Sequence, residues 1–423
     1  MKSAILCFPH IEGEPQFPTG LYKIATHCIP KFKVHVFDER LDPTAGDQIE
    51  TLLREEDVLC LGVSCMTGRQ IHSALRLSKR FHGRVPIVWG GCHATILPRQ
   101  TLDSGLVDYV VRGDGEQAMP QLLALLDLPA GPNRQDWAWD RVHSFSAFGD
   151  SYVDFDKYPL DSRYLPTRDG LHRVVTLETS RGCPHRCAYC HNTAAGRGYV
   201  AMPSEKVLAT IDDLRGRHAL GGVVLQEDNF FVKPSRAFAI AKGLATRGLR
   251  WKANCRASYV AHFSDDDLAM LSASGCAVLQ CGAEAGSQRI LDLITKDVTV
   301  ATILAANKRL ERHRIPVRYN FIIGFPTETV AEIRETLALM KQLRQENPLC
   351  LPPFLNIYAP YPGTPLYPLA IEQGFIAPCD LEGWSQITWN CANAPWLGED
   401  VRNEMSELSA RFLEESDYAK FVS

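Results

Sequence analysis

The sequence predicts an α/β protein with two parallel sheets in tandem, a doubly wound sheet near the N-terminus and a partial six-stranded barrel behind it. Short apolar runs recur in two series, spaced by stretches of helical length, and they show little polar alternation, as strands buried on both faces require. Glycine and polar residues gather just after the runs, where parallel strands end and ligands bind. The size agrees: 423 residues exceed one domain, and 45% hydrophobic with 22% charged residues is ordinary globular composition.

The first series is AILCF, VHVF, VLCLGVS, PIVWGG and DYVVRG, between residue 3 and residue 127. Five such repeats make a Rossmann-like, flavodoxin-like domain over 1–127, with Gly62, Gly90, Gly91 and Gly113 at strand ends. Residues 128–172 gather Pro, Asp, Trp and Tyr without steady periodicity and read as a linker packed by aromatics. From 173 the runs are RVVTLETS, GGVVLQED, LRWKANCR, AVLQCGAE, VRYNFIIG and FLNIY, separated by helical patterns such as SEKVLATIDDLRGR. Six strand-helix units make a partial (β/α)6 barrel of TIM type over 173–375, with its chemistry expected at the C-terminal strand ends. Residues 376–423, rich in Trp, Pro and Asn before a terminal helix, read as a small C-terminal cap.

Charge and apolar runs exclude several classes. The 45 Lys and Arg against 49 Asp and Glu leave a formal charge of −4, so no global basic field invites nucleic acid. The first residues carry too short an apolar run for a signal peptide, and no stretch of 18 apolar residues occurs, so a soluble, cytoplasmic protein without membrane contact is expected. Fourteen cysteines is high for such a chain, and in a reducing compartment metal binding explains them better than disulfides.

The strongest chemical signal is SRGCPHRCAYCHN, which sets Cys183, Cys187 and Cys190 in one loop after the first barrel strand. Three soft thiolates can wrap a 4Fe-4S cube and leave its fourth iron open to a ligand. A Cys3His zinc site completed by His185 or His191 is the rival reading. Tyr189, just before the third cysteine, serves either core packing or contact with the cluster or a purine.

The Cys-x3-Cys-x2-Cys spacing with that aromatic resembles the signature of the radical S-adenosylmethionine enzymes. The resemblance implies a 4Fe-4S cluster whose open iron chelates S-adenosylmethionine, an external one-electron reductant of flavodoxin or ferredoxin type, and a 5'-deoxyadenosyl radical. Other segments fit in order over about 173–375. LQEDNFF places Glu227, Asp228 and Asn229 near the amino group and ribose, and ANCR offers Asn254 and Arg256, the latter for bidentate pairing with the carboxylate or for a surface ion pair. LQCGAEAGS brings Glu284, NFIIGFPTET brings Asn320 beside the adenine, and YAPYPGTPLY brings Tyr358 to the substrate cavity wall.

GVSCMTG and VWGGCHATILPRQ, with the segment through DYVVRGDGEQAMPQLLALL, resemble the cobalamin-binding domain that precedes the barrel in one large class of these enzymes. The resemblance implies cobalamin contacts from Ser64, Cys65 and Met66 on the cobalt side. Gly90, Gly91, Gly113, Gly115 and Glu116 follow at the ring or its nucleotide tail, the glycines admitting close backbone approach. The alternative is that these glycines only make tight turns. No Asp-x-His occurs in 1–127, so cobalt is expected to lack a histidine on its lower face.

Three functions follow. The first is cobalamin-dependent radical methylation of a small molecule of natural-product type. The second is cobalamin-independent transfer of the 3-amino-3-carboxypropyl group of S-adenosylmethionine, for example to arsenite in arsinothricin-type biosynthesis, for which Cys379 and Cys391 in the cap offer thiols. The third is a binding module that senses metal or redox state. The remaining cysteines lie mostly in apolar runs and read as buried small hydrophobes.

Overall fold

The computed structural model of the chain describes residues 1–416 apart from 14, 129–150, 168–170 and 197, with side chains described to 412. Much of the expected linker therefore lies outside the described residues. The chain divides into two compact units, Met1–Arg163 with Ala377–Thr388, and Tyr164–Ile376 with the chain from Trp389 on.

The first unit holds a five-stranded parallel sheet of β1 (Ser3–Phe8), β2 (Lys33–Asp38), β3 (Val58–Ser64), β4 (Ile87–Gly90) and β5 (Tyr109–Val110), in the order β2-β1-β3-β4-β5. This is the flavodoxin-like order, in which the chain reverses direction of winding between β1 and β3 and opens a crevice at the C-terminal strand ends. Helices cover both faces. Helix Gln70–Phe81 buries Ile71, Ala74, Leu75, Leu77 and Phe81, the stripe that a period of 3.6 dictates. Beyond the undescribed stretch, Phe155 meets the Phe17 ring at 5.9 Å and the Tyr158 hydroxyl donates to the Val34 carbonyl at 3.1 Å.

The C-terminal stretch departs from the expectation of one cap. Ala377–Thr388 belongs to the first unit, where Trp384 is buried, Lys79 pairs with Glu382 at 3.0 Å and Gln100 donates to the Pro378 carbonyl at 3.0 Å. The remainder packs on the second unit: helix Glu399–Ser416 lies against the last barrel strand, and Ser409 donates to the Leu355 carbonyl at 2.8 Å. Composition marked both parts as irregular, but only tertiary burial of Trp384 separates them.

The second unit starts with β6 (Val174–Leu177), then a two-residue ribbon, β7 (Ser180–Arg181) paired antiparallel with β8 (Val200–Ala201). The barrel continues with β9 (Gly222–Leu225), β10 (Arg250–Cys255), β11 (Cys276–Glu284), β12 (Val317–Ile323) and β13 (Phe354–Ile357). Its six strands run parallel in the order β13-β12-β11-β10-β9-β6, a curled half-barrel. Alternation sorts the side chains. Trp251, Ala253, Cys255, Leu279 and Cys281 are buried, whereas Asn254 and Gln280, which pair in register, and Asn320, which pairs with Gly282, are partly open. Among the described residues no helix is long and apolar enough to cross a membrane.

Candidate functional site

The three-cysteine loop leaves β7 and ends at the short helix His191–Ala194. Gly182 opens it in a left-handed conformation (φ +76°), and its N–H donates to Asp228 Oδ2 at 2.8 Å. Further on, Ala188 N–H donates to the Ile294 carbonyl at 2.8 Å and its own carbonyl accepts from Leu366 N–H at 2.9 Å. The Cys187 carbonyl accepts from Cys190 N–H at 3.1 Å and Thr193 Oγ1 at 3.0 Å. The loop is thus fixed to three separate elements.

Burial pushes the Cys190 thiol up to about 11 and raises Cys183, and the Cys187 sulfur adds to both, so the three thiols share one neighbourhood. Iron at that spot would restore their thiolates. Among the described residues no three His, Cys, Asp or Glu side chains converge as one metal ion needs, and His185 Nε2 contacts the Tyr259 hydroxyl at 3.3 Å. A cube asks for something else, one thiolate at each of three corners, and the loop fits it.

Glu227 and Asp228, expected to meet S-adenosylmethionine, both brace the loop. The Glu227 carboxylate is fully buried, accepts hydrogen bonds from Thr179 and Ser180, and lies 3.4 Å from Arg236. Its carbonyl accepts from Asn254 Nδ2 at 2.7 Å. Asn229 caps the following turn through Phe231 N–H. Arg236, whose guanidinium also reaches the Thr179 carbonyl at 2.9 Å, carried no signal in the sequence beyond its place on a helix.

Arg256 is buried. Its Nη1 lies 3.3 Å from Cys187 Sγ, its Nη2 donates to the Lys296 carbonyl, and its Nε has no partner among the described residues. A surface ion pair is ruled out by that burial. Lys296 Nζ in turn sits 2.6 Å from Glu284 Oε1, with both side chains buried. Glu284 ends β11 at φ +68°, after a register shift against β12, and its carboxylate folds over Gly282, where an added Cβ would lie 2.2 Å from Oε1. That is the physical reason for the Gly-x-Glu spacing. The same carboxylate meets Tyr189, whose phenol is pushed up by burial and by that charge.

Tyr189 and Cys190 also line a cavity of about 430 Å³ at the ends of β12 and β13, walled by Ile322, Asn356, Tyr358 and Trp389. The Tyr189 ring lies tilted against that of Phe325, their centroids 5.8 Å apart. Asn320 lies on β12 with its Oδ1 accepting from Gln280 Nε2 at 3.3 Å. Sequence reading missed Glu328, which shapes the turn after β12: one carboxylate oxygen accepts from Gly324 and Phe325 N–H groups at 2.5 and 2.9 Å. Burial raises it to about 7. Its four-residue spacing from Gly324 was the available signal.

In the first unit, Ser64, Gly90 and Gly91 meet at the C-terminal sheet edge. Cys65 N–H donates to the Gly90 carbonyl at 2.9 Å, and a Cβ on Gly91 (φ +90°) would lie 2.8 Å from the Cys65 carbonyl oxygen. Gly90 differs: its Cβ would meet nothing nearer than 3.7 Å and its φ is ordinary, so among the described residues no packing asks for glycine there. A close ligand would. Met66 is exposed at the same edge, Gly113 (φ +70°) donates to Thr95 Oγ1 at 3.0 Å, and the Cys65 thiol is buried and turned to the Met66 carbonyl. Gly115 instead admits Ile24, 2.5 Å from its would-be Cβ, and Glu116 is buried and accepts from Ser151 at 2.9 Å. Those two pack the unit. His93, also buried, contacts Thr67 Oγ1 through Nδ1 at 3.1 Å, and burial lowers it to about 4.

A half-barrel with three cysteines after its first strand, in a chain that also carries a doubly wound sheet, defines a radical S-adenosylmethionine enzyme with a cobalamin-type domain. Residues 177–340 match the family model of the Radical SAM superfamily, and residues 18–123 match that of the B12 binding domain. The chain belongs to the cobalamin-binding class of radical SAM enzymes. The cofactors that go with its two domains are a 4Fe-4S cluster, S-adenosylmethionine and cobalamin. Among its relatives is the uncharacterized methyltransferase PH0819 of Pyrococcus horikoshii, 25% identical over 378 residues that cover 85% of this chain and 79% of that protein. Another is the anaerobic magnesium-protoporphyrin IX monomethyl ester cyclase of Cereibacter sphaeroides, 25% identical over 79% of this chain and 56% of that protein. The fold is similar to that of the radical S-adenosylmethionine methyltransferase TsrM from Kitasatospora setae, solved with cobalamin and a [4Fe-4S] cluster, at a TM-score of 0.68 and 17% identity, covering 89% of this chain and 76% of that one.

Proposed function

We propose that this enzyme methylates a small molecule by cobalamin-dependent radical chemistry, with Cys183, Cys187 and Cys190 as cluster ligands. The observation that carries the reading is the braced three-thiol loop beside a buried polar circuit, in one chain with a B12 binding domain. Bound in their sites, the cluster would supply the electron that cleaves S-adenosylmethionine, and cobalamin the methyl group.

The residues of this chain have separable tasks. Glu227, Thr179 and Ser180 hold the strand end from which the loop springs, and Asp228 fixes Gly182. Asn254 and Asn320 present amides on the partly open face of the barrel, and the cavity beside Tyr189 and Tyr358 offers flat apolar walls for the adenine. Ser64, Met66, Gly90, Gly91 and Gly113, at the C-terminal edge of the first sheet, would border the cobalamin. An external one-electron reductant of flavodoxin or ferredoxin type serves the cluster, and residues 1–127 and 173–375 divide the two tasks.

A methyltransferase reading is supported by the names of the P. horikoshii protein and of TsrM, whereas the cyclase shows that relatives of this layout do other chemistry. The test is anaerobic reconstitution with iron, sulfide and cobalamin, then reduction with S-adenosylmethionine. Iron, sulfide and cobalt should be retained together, with 5'-deoxyadenosine and S-adenosylhomocysteine as products. Release of methylthioadenosine instead would mean that the 3-amino-3-carboxypropyl group had moved. Stoichiometric zinc without iron would overturn the reading.

A further inference from the structure

We infer that Arg256 is a cluster-tuning residue, which raises the reduction potential of the 4Fe-4S centre by donating to the sulfur of Cys187. The inference rests on the reading that Cys187 holds iron. Among the three thiols the surroundings are unequal. Cys183 is met by the His185 backbone N–H, and Cys190 by those of Asn192 and Thr193. The Arg256 charge also reaches Cys183, but of the three sulfurs it is that of Cys187 which has the guanidinium at hydrogen-bond distance, with Nη1 at 3.3 Å.

That guanidinium is held still. Its other terminal nitrogen donates to the Lys296 carbonyl, and Lys296 is tied through its ammonium to Glu284 at 2.6 Å. Arg256, Lys296 and Glu284 are all buried, so water does little to screen the charge. A fixed positive charge and a donated N–H both stabilise the more negative, reduced form of a thiolate-bound cluster, and outer hydrogen bonds to the sulfurs are among the levers that set its potential. Nη1 and Nη2 each commit one N–H to these contacts, and Nε has no partner among the described residues. A two-pronged grip on the S-adenosylmethionine carboxylate would have to use the N–H groups left over, in the one orientation that these two contacts fix.

The test compares reconstituted wild type, Arg256→Gln and Arg256→Lys by redox titration of the reduced-cluster electron paramagnetic resonance signal, without S-adenosylmethionine, alongside its binding affinity. The midpoint of Arg256→Gln should shift to more negative values, and that of Arg256→Lys should shift less, because the charge stays while the pinned fork is lost. Affinity for S-adenosylmethionine should change less than about fivefold, since a residue that acts on the Cys187 sulfur removes no anchor of the carboxylate when it is replaced. An unchanged midpoint with affinity lost tenfold or more would overturn the proposal in favour of a carboxylate anchor. Should the Gln variant hold no cluster, the Lys variant decides by the same comparison. A wild type that binds no iron would overturn the underlying assignment of the three cysteines instead.

Discussion

Lys296 pairs with Glu284 at 2.6 Å, with both side chains buried, 12 residues apart in the chain. The carboxylate fills the space above Gly282, and the lysine fills the space beside it, at 2.8 Å from where a Cβ would stand. Removing one partner leaves the other charge enclosed, a change that costs about 3–5 kcal/mol in buried pairs. Lys296→Met should therefore lower the urea midpoint of the cluster-free protein, and adding Glu284→Gln should restore part of the loss. Additive losses would show that the two groups act independently.

Cluster ligation is checked one sulfur at a time. Alanine at Cys183, Cys187 or Cys190 should abolish retained iron and sulfide and the visible absorption of the reconstituted protein, whereas His185→Ala and His191→Ala should keep both. Iron retained in any cysteine variant, or lost in either histidine variant, would reassign the ligand set.

Neighbouring glycines at the first sheet edge should respond differently. Gly91→Ala forces a Cβ to within 2.8 Å of the Cys65 backbone at φ +90°, a strain of about 1–3 kcal/mol that a thermal melt would register. Gly90→Ala meets only ordinary contacts, so the melt should stay near wild type while cobalamin affinity falls. Equal cobalamin binding by Gly90→Ala and wild type would remove Gly90 from the cofactor site.

Glu328 gives the stability a pH dependence. Its folded value is raised to about 7 from 4.5, chiefly by burial. Its contribution is full below 4.5 and is lost as pH rises through about 7, where the enclosed carboxyl must ionise, a loss of up to about 3 kcal/mol. Glu328→Gln keeps an oxygen for Gly324 and Phe325 and cannot ionise. Between pH 5 and 8 the wild type should lose more denaturation free energy than this variant, and parallel curves would refute the assignment.

Much of this was legible in the sequence. Strands such as VLCLGVS and GVVL read as continuous apolar runs because both faces are covered, and the three cysteines announce themselves by spacing. The charged residues were harder. Glu227 and Arg256 were placed at the right strand ends, yet whether a carboxylate faces a ligand or Thr179 and Ser180 is settled by side-chain packing that no local pattern encodes. Lys296 and Arg236 went unnoticed for the same reason, their partners lying 12 and 9 residues away across short helical segments. The ribbon of β7 and β8 is two residues a side, too short for a periodic signal.

The stretch Ala377–Thr388 gives the first unit a discontinuous chain, with Trp384 beside His93, their rings 6.3 Å apart. During synthesis the sheet strands emerge from the ribosome more than 250 residues before the segment that covers this histidine. Until residue 388 is translated, the helix Gln70–Phe81 lacks its contact with Leu381–Trp384, and the unit stays open at that place. A fragment ending at residue 163 would reproduce that half-built state, and so would any release of the growing chain before the barrel is complete.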